Sequence, residues 1–254
     1  TTSVADSRRC RGPVNSRLGR IAAMTVLVHY PFCPRSRAVR IALAELGQDV
    51  DLEDELPWAW SESLLAVNPA GELPVLVTSQ GGVVAGAYAI SEYLDEQGLA
   101  QTSDAGHGGL FPGTPAERAE VRRLVDWFVN KFDREVSREL IDMKIISLQA
   151  PGKGAPPDAE TLRAVRHNLR YHLRYIDHLA LNRDWLAGPR LSFADMAAAG
   201  HLSVLDYLGD IDWEQHPSAK SWYMRLKSRP AFRSLLSDRL TGLPPHRTYV
   251  DLDF

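Results

Sequence analysis

Few residues in this chain carry reactive groups in a pattern that suggests chemistry. Cys33 is followed by Pro34 and then by a helical pattern, which puts its thiol at the start of a helix. Unpaired N–H groups at such an end attract negative charge, so a thiolate there can attack a disulfide or an electrophilic carbon. Tyr30 and Ser36 are near enough in sequence to touch that thiol. The plainer reading of Cys33 is a small side chain filling a strand–helix corner. Other patterns suit binding. Arg163, Arg166, Arg170 and Arg174 share one face of a helix. They form either a stripe for an acidic partner or a solvated face paired with Glu135, Glu139 and Asp142. Trp58 and Trp60 stand in a connection two residues apart, and exposed tryptophans are favoured interface anchors. Trp127, Phe128 and Phe132 read as core or dimer contacts rather than a ligand site.

Several classes of function find no support. The eight histidines lack metal-ligand spacing, and no phosphate-binding or dinucleotide glycine motif occurs. The net charge of −3 gives no case for nucleic acid. Cys10 and Cys33 are too few for a disulfide framework in 254 residues, which points to a reducing cytoplasm. No apolar run approaches the ~20 residues of a membrane span. An apolar share of 44% and a charged share of 24% suit a globular chain.

The elements that must position these residues fall into blocks. Residues 1–23 hold five arginines against one acid and are expected to be a disordered leader or an extension from a misassigned start. Residues 24–98 read as strand (25–30), helix ending at Gly47, strand (49–56), short helix (59–66), strand (73–77), strand (83–85) and helix (87–96). Residues 99–115 are a linker. Residues 116–238 are all helical: one long helix over about 115–148, a second over about 158–181, then a buried third opened by Ser192 and Asp195 as a capping-box variant. Two shorter helices, about 217–227 and 230–237, complete the bundle. Residues 239–254 read as an extended tail in which aliphatic and aromatic residues (Tyr249, Leu252, Phe254) alternate with aspartates, a pattern suited to docking on a partner.

Asn68-Pro69-x-Gly71-x-x-Pro74-Val75-Leu76 and Ser192-x-x-Asp195 after Trp185-Leu186-Ala187-Gly188 resemble the glutathione transferases. The resemblance implies an α+β thioredoxin-like N-terminal domain followed by an all-α helical bundle. It also implies a cis Pro74, with the backbone of Leu73 turned to pair with the cysteinyl part of glutathione. Two polar residues that would hold the γ-glutamyl end fall at Gly86 and Ala87, which have no polar side chain. Two lost charged hydrogen bonds weaken a ligand by about 3–6 kcal/mol. In that family Cys33 stands where a catalytic serine or cysteine does.

The C-terminal pattern, Arg229-Pro230-x-Phe232-Arg233, Leu243-Pro244-Pro245 and Tyr249 to Phe254, resembles the glutathione-transferase-like division proteins of alphaproteobacteria. That implies a cytoplasmic homodimer at the division site, without a required cofactor or catalysis. It would bind FtsZ filaments through the helical face (Arg166, Arg170) and the Trp58 region, and reach the septal cell-wall synthesis machinery through the tail. The alternative is a transferase or thiol reductase that uses Cys33 and glutathione.

Overall fold

The computed structural model describes residues 24–98, 109–150, 152–153 and 158–252. The expected leader (1–23), most of the linker (99–108) and Phe254 lie outside these residues.

The N-terminal half is a four-stranded mixed sheet, order β2-β1-β3-β4, with helices packed on it. Strand β1 (Val26–His29) runs parallel to β2 (Asp51–Asp54) and antiparallel to β3 (Val75–Val77), which pairs antiparallel with β4 (Val83–Ala85). The apolar runs Val26-Leu27-Val28 and Val75-Leu76-Val77 occupy the two central strands, where both faces are covered. Helix α1 (Pro34–Glu45) begins with proline at N1, where its missing N–H costs nothing. It ends at Gly47, whose φ of +64° suits a residue without Cβ. A short α2 (Glu62–Val67) is capped by Ser61, whose hydroxyl accepts from Leu64 N. Helix α3 (Ala87–Glu96) follows Gly86. The Leu73–Pro74 bond is cis, as expected, and β3 starts at Val75 rather than Leu73.

The C-terminal half is helical. Helix α4 covers residues 115–149. It is α-helical over Pro115–Asp126, Arg138–Ile141 and Ser147–Gln149, and π-helical over Trp127–Ser137 and Asp142–Ile146. A capping box of Thr114 and Glu117 starts it. Asp158 caps α5 (Ala159–Asn182) by accepting from Thr161 N. Helix α6 (Phe193–Leu208) is buried almost throughout, as its run of alanines and leucines predicts. The Ser192–Asp195 capping box is present and reaches further than a cap. The Asp195 carboxylate also accepts from Leu186 N at 2.8 Å and Trp222 Nε1 at 3.0 Å, and burial pushes its pKa up. Helix α7 (Pro217–Lys227), α8 (Arg233–Leu236) and α9 (Arg247–Val250) complete the fold.

The two halves meet where α1 crosses α6. A Cβ on Gly200 would sit 2.4 Å from the carbonyl oxygen of Pro34, so glycine sets the closeness of this crossing.

The tail departs from the expectation. Residues 239–252 fold back onto the body instead of extending, and Tyr249 is fully buried. Its ring packs edge-on against Tyr207 and its hydroxyl donates to the Leu235 carbonyl. The Tyr207 hydroxyl in turn donates to the Leu243 carbonyl at 2.6 Å. Alternation along the sequence masked this, because a single helical turn (α9) puts Tyr249 inward between half-buried Thr248 and exposed Val250. Tyr249 is therefore an internal anchor, not a partner contact, whereas Leu252 stays exposed.

Candidate functional site

Cys33 is the N-cap of α1 and is partly buried. Its backbone N–H donates to Tyr30 O at 2.9 Å, closing the turn that joins β1 to α1. Its thiol points across the cleft to the Leu73 carbonyl, with Sγ 3.9 Å from the oxygen. The fold thus brings Cys33, Leu73 and the cis Pro74 together, as the sequence pattern predicts. Arg35 beside the thiol is ion-paired with Glu72 at 3.0 Å. The other two candidates for touching the thiol are engaged elsewhere or hidden. Tyr30 packs against Trp58, with ring centroids 5.3 Å apart, and burial pushes its pKa up. Ser36 is fully buried, its hydroxyl without a hydrogen-bond partner among the described residues.

Gly86 and Ala87 close the other side of this corner. Gly86 N–H donates to Pro74 O at 2.9 Å, and its φ of +90° with ψ of 140° is a conformation that strains residues with a side chain. A Cβ there would meet nothing within 4 Å among the described residues, so the space beside Gly86 is open. Ala87 is buried. The α3 N-terminus still offers backbone N–H groups, and Gly86 and Ala87 at its start bring neither a hydroxyl nor a carboxylate. The residues present do not fit a tight site for the γ-glutamyl end of glutathione.

Two buried histidines were missed by sequence reasoning. His201 Nδ1 pairs with the Ser137 hydroxyl at 2.8 Å, while its Nε2 has no partner among the described residues. Burial lowers the His201 pKa to about 4. His29 is likewise lowered to about 4, by burial first and then by Arg40 and Arg37. Its Nε2 lies 3.2 Å from the exposed Asp54 carboxylate but out of line for a hydrogen bond. Each histidine stands in or beside an apolar run that signals burial, whereas Ser137 and Asp54, which face them, are distant in sequence.

The expected partner residues divide. Trp58 is half-buried on Tyr30 and its carbonyl accepts from Lys153 Nζ at 3.3 Å, so it belongs partly to the core. Trp60 is the exposed one, at 61% of its surface. It holds a φ of +52°, and its ring lies beside the bare backbone of Gly71. Arg166 and Arg170 make no ion pair with α4. Glu135 is taken by Lys131 and by His172 Nε2 at 3.0 Å. Both arginines instead line a cavity that also includes Asp210, Asp212 and His216.

The family models for the N-terminal and C-terminal domains of glutathione S-transferase match residues 27–98 and 140–230. FtsZ-localized protein A of Caulobacter vibrioides is 45% identical over 231 residues, spanning 90% of this chain and 97% of that protein. The chain belongs to the glutathione S-transferase family. A solved family member from Sinorhizobium meliloti is 46% identical, with a TM-score of 0.86 over 91% of this chain and all of its own. The structure of FzlA from C. crescentus is 43% identical, with a TM-score of 0.83 over the same shares. As a glutathione S-transferase relative, the chain keeps the family's sheet, cis proline and capping box, and its α3 entrance lacks polar side chains.

Proposed function

We propose that this protein is an adaptor of glutathione S-transferase fold that associates with FtsZ filaments and acts in cell division, at the division site. The observation that carries the reading is its 45% identity, across nearly the whole of both chains, to a protein named for its localisation with FtsZ. The bare Gly86–Ala87 corner supports it, since a binding protein has no need of a held γ-glutamyl group. The exposed face around Leu56 and Trp60, with Trp58 behind it, supplies the filament contact. A homodimer would present this face twice and so crosslink or bend filaments through multivalency. The exposed end of the tail, Val250 and Leu252, would meet a second partner in the septal wall machinery.

Co-sedimentation with polymerised FtsZ tests the reading. The full chain pellets with polymer, and Trp60→Ala pellets less while keeping its unfolding midpoint. A chain that stays in the supernatant overturns the proposal. The second reading, a thiol enzyme, rests on the Cys33–Leu73 geometry. It predicts that in the wild-type chain the Cys33 thiolate displaces the substrate thiol from a glutathione mixed disulfide and takes up the glutathionyl group, which added free glutathione then removes as glutathione disulfide, and that Cys33→Ala loses this turnover.

A further inference from the structure

Strand β2 (Asp51–Asp54) forms one edge of the sheet, and among the described residues no further strand lies beyond it. Asp51 N–H donates to Thr25 O at 3.0 Å and Glu55 N–H to His29 O at 2.7 Å, so the odd-numbered residues turn their backbone groups towards β1. Alternation along the strand then turns the N–H and C=O of Leu52 and Asp54 outward. Among the described residues these outward groups have no backbone partner. Such an edge is a template for one more strand.

The side chains choose which strand that is. Residues 49–55 read Asp-Val-Asp-Leu-Glu-Asp-Glu, with no base among them. Among the described residues none of these acids is ion-paired with a lysine or arginine. Glu55 accepts from the Ser61 hydroxyl at 3.0 Å, and Asp54 lies 3.2 Å from His29 Nε2. That ring is 2% exposed, its two nitrogens have no hydrogen-bond partner among the described residues, and burial keeps it neutral, so it is no counter-charge. Arg37 and Arg40, which act on His29 through space, are ion-paired with Asp238. Like charges placed opposite each other destabilise a strand pair. The acids therefore bar a second β2 from this edge and leave it open to a strand of opposite sign. Asp51 and Glu53 stand on one face of β2, Leu52 and Asp54 on the other. Leu52 is 47% exposed. The complement is an extended segment with cations beside Asp51 and Glu53 and an apolar side chain beside Leu52.

We propose that β2 takes up an extended basic segment of a partner protein by strand addition, through the outward backbone of Leu52 and Asp54 and the carboxylates of Asp51 and Glu53. Main-chain hydrogen bonds supply the affinity and the carboxylates select the sign of the partner. The edge makes no use of Trp60, and it stands whether or not the chain meets FtsZ.

Fluorescence anisotropy on the full chain reads binding, and amide hydrogen exchange reads its place. The probe is an acetylated, amidated octapeptide that alternates lysine and valine. It binds saturably and slows exchange at the amides of Leu52 and Asp54. The matching peptide with glutamate in place of lysine does not bind. The lysine peptide N-methylated at every residue keeps its charges but loses its donors, and binds at least about tenfold more weakly. Asp51→Lys combined with Glu53→Lys reverses the choice: the lysine peptide is lost and the glutamate peptide is taken up, which also shows that the edge is still formed. Trp60→Ala leaves the lysine peptide's affinity unchanged, so failure of this proposal and failure of the filament reading are told apart. The proposal is overturned by the absence of saturable binding up to about 1 mM. It is equally overturned by undiminished binding of the N-methylated peptide, which marks charge attraction alone, by wild-type affinity in the double lysine variant, or by loss of binding in Trp60→Ala. Protection of the Leu52 and Asp54 amides in the free chain also overturns it. That protection marks a second copy on the edge if it falls on dilution, and another segment of the same chain if it does not.

Discussion

The α3 entrance and the tail clasp hold polar groups in opposite ways. At the entrance, Gly86 and Ala87 leave a helix N-terminus and an open space and commit no polar side chain to either. At the clasp, Asp206 and Lys227 are both fully buried and nearly every polar atom is engaged. Asp206 accepts from Trp213 Nε1 (3.1 Å), Thr248 Oγ1 (2.6 Å) and the Tyr223 hydroxyl (3.3 Å), with Lys227 Nζ 3.5 Å away. Lys227 Nζ also donates to the carbonyls of Thr248 and Asp251, the latter at 2.7 Å. Arg37 of the sheet domain, fully buried, lies over the rings of Phe32 and Tyr249 and donates to Asp238 and to Ser203, which ties the tail to both halves. Buried charge is costly unless paired and hydrogen-bonded. The chain therefore commits its charges to fixing the tail, and leaves bare the corner where relatives of this fold would hold a ligand.

The sharpest break of this contrast is at Lys227. Lys227→Ala leaves the buried Asp206 carboxylate without its counter-charge and removes a donor from the Thr248 and Asp251 carbonyls, a loss of about 3–5 kcal/mol. Urea unfolding should show it as a lower midpoint, together with earlier proteolysis after residue 239. A loss below about 1 kcal/mol would mean that the charges are solvated and the clasp is loose.

The next effect lies on the cleft side. His29 and His201 titrate near 4 in the folded protein, against the ordinary histidine value of 6.5. Their folded pKa values are depressed, so the unfolded chain binds more protons between these limits. The stability they contribute is present above pH 6.5 and lost as pH falls towards 4, to the extent of about 3 kcal/mol for each histidine. Unfolding midpoints measured from pH 7 to 4.5 should fall, and His201→Gln should flatten the slope. A pH-independent midpoint would refute their burial as neutral groups.

The entrance itself is probed by Ala87→Ser, which restores one hydroxyl at the α3 N-terminus. A charge-assisted hydrogen bond is worth about 1.5–3 kcal/mol, so glutathione affinity should rise about 10–100-fold by calorimetry. Restoring an acid at Gly86 is the poorer test, since a side chain at φ +90° is strained. If Ala87→Ser gains nothing, the corner is closed to the tripeptide by shape and not by missing donors.

How far the sequence shows these features depends on whether the signal is local. The Asn68–Leu76 pattern and the Ser192–Asp195 box are set by turns and caps within a few residues, and the sheet, the cis bond and the buried α6 follow them closely. Trp58 and Trp60 are not resolved that way, because which ring faces water depends on the left-handed backbone at Trp60 and on Tyr30 behind Trp58. The tail is misread for a related reason. Tyr249 has a partner 14 residues away at Leu235 and lies over Arg37 of the other half, and no short window contains those contacts. The cavity beside Arg166 and Arg170 is half visible: the arginine stripe shows its spacing, whereas Asp210, which also lines it, follows the far end of α6.

The smallest expected effect is at the last described residue of the tail. Among the described residues Lys227 holds the carbonyls of Thr248 and Asp251, and Leu252 is 44% exposed. Leu252→Ser should change stability by no more than about 0.5 kcal/mol, as exposed positions do. Tyr249→Ala, three residues earlier, empties a buried aromatic site and should cost about 3–5 kcal/mol. If the two substitutions are measured by the same urea titration and differ by less than about 1 kcal/mol, the boundary between anchored and available tail is misplaced. If they differ as expected, a division phenotype in Leu252→Ser would speak for the proposed second partner, because the fold and the Trp60 face are left as they were.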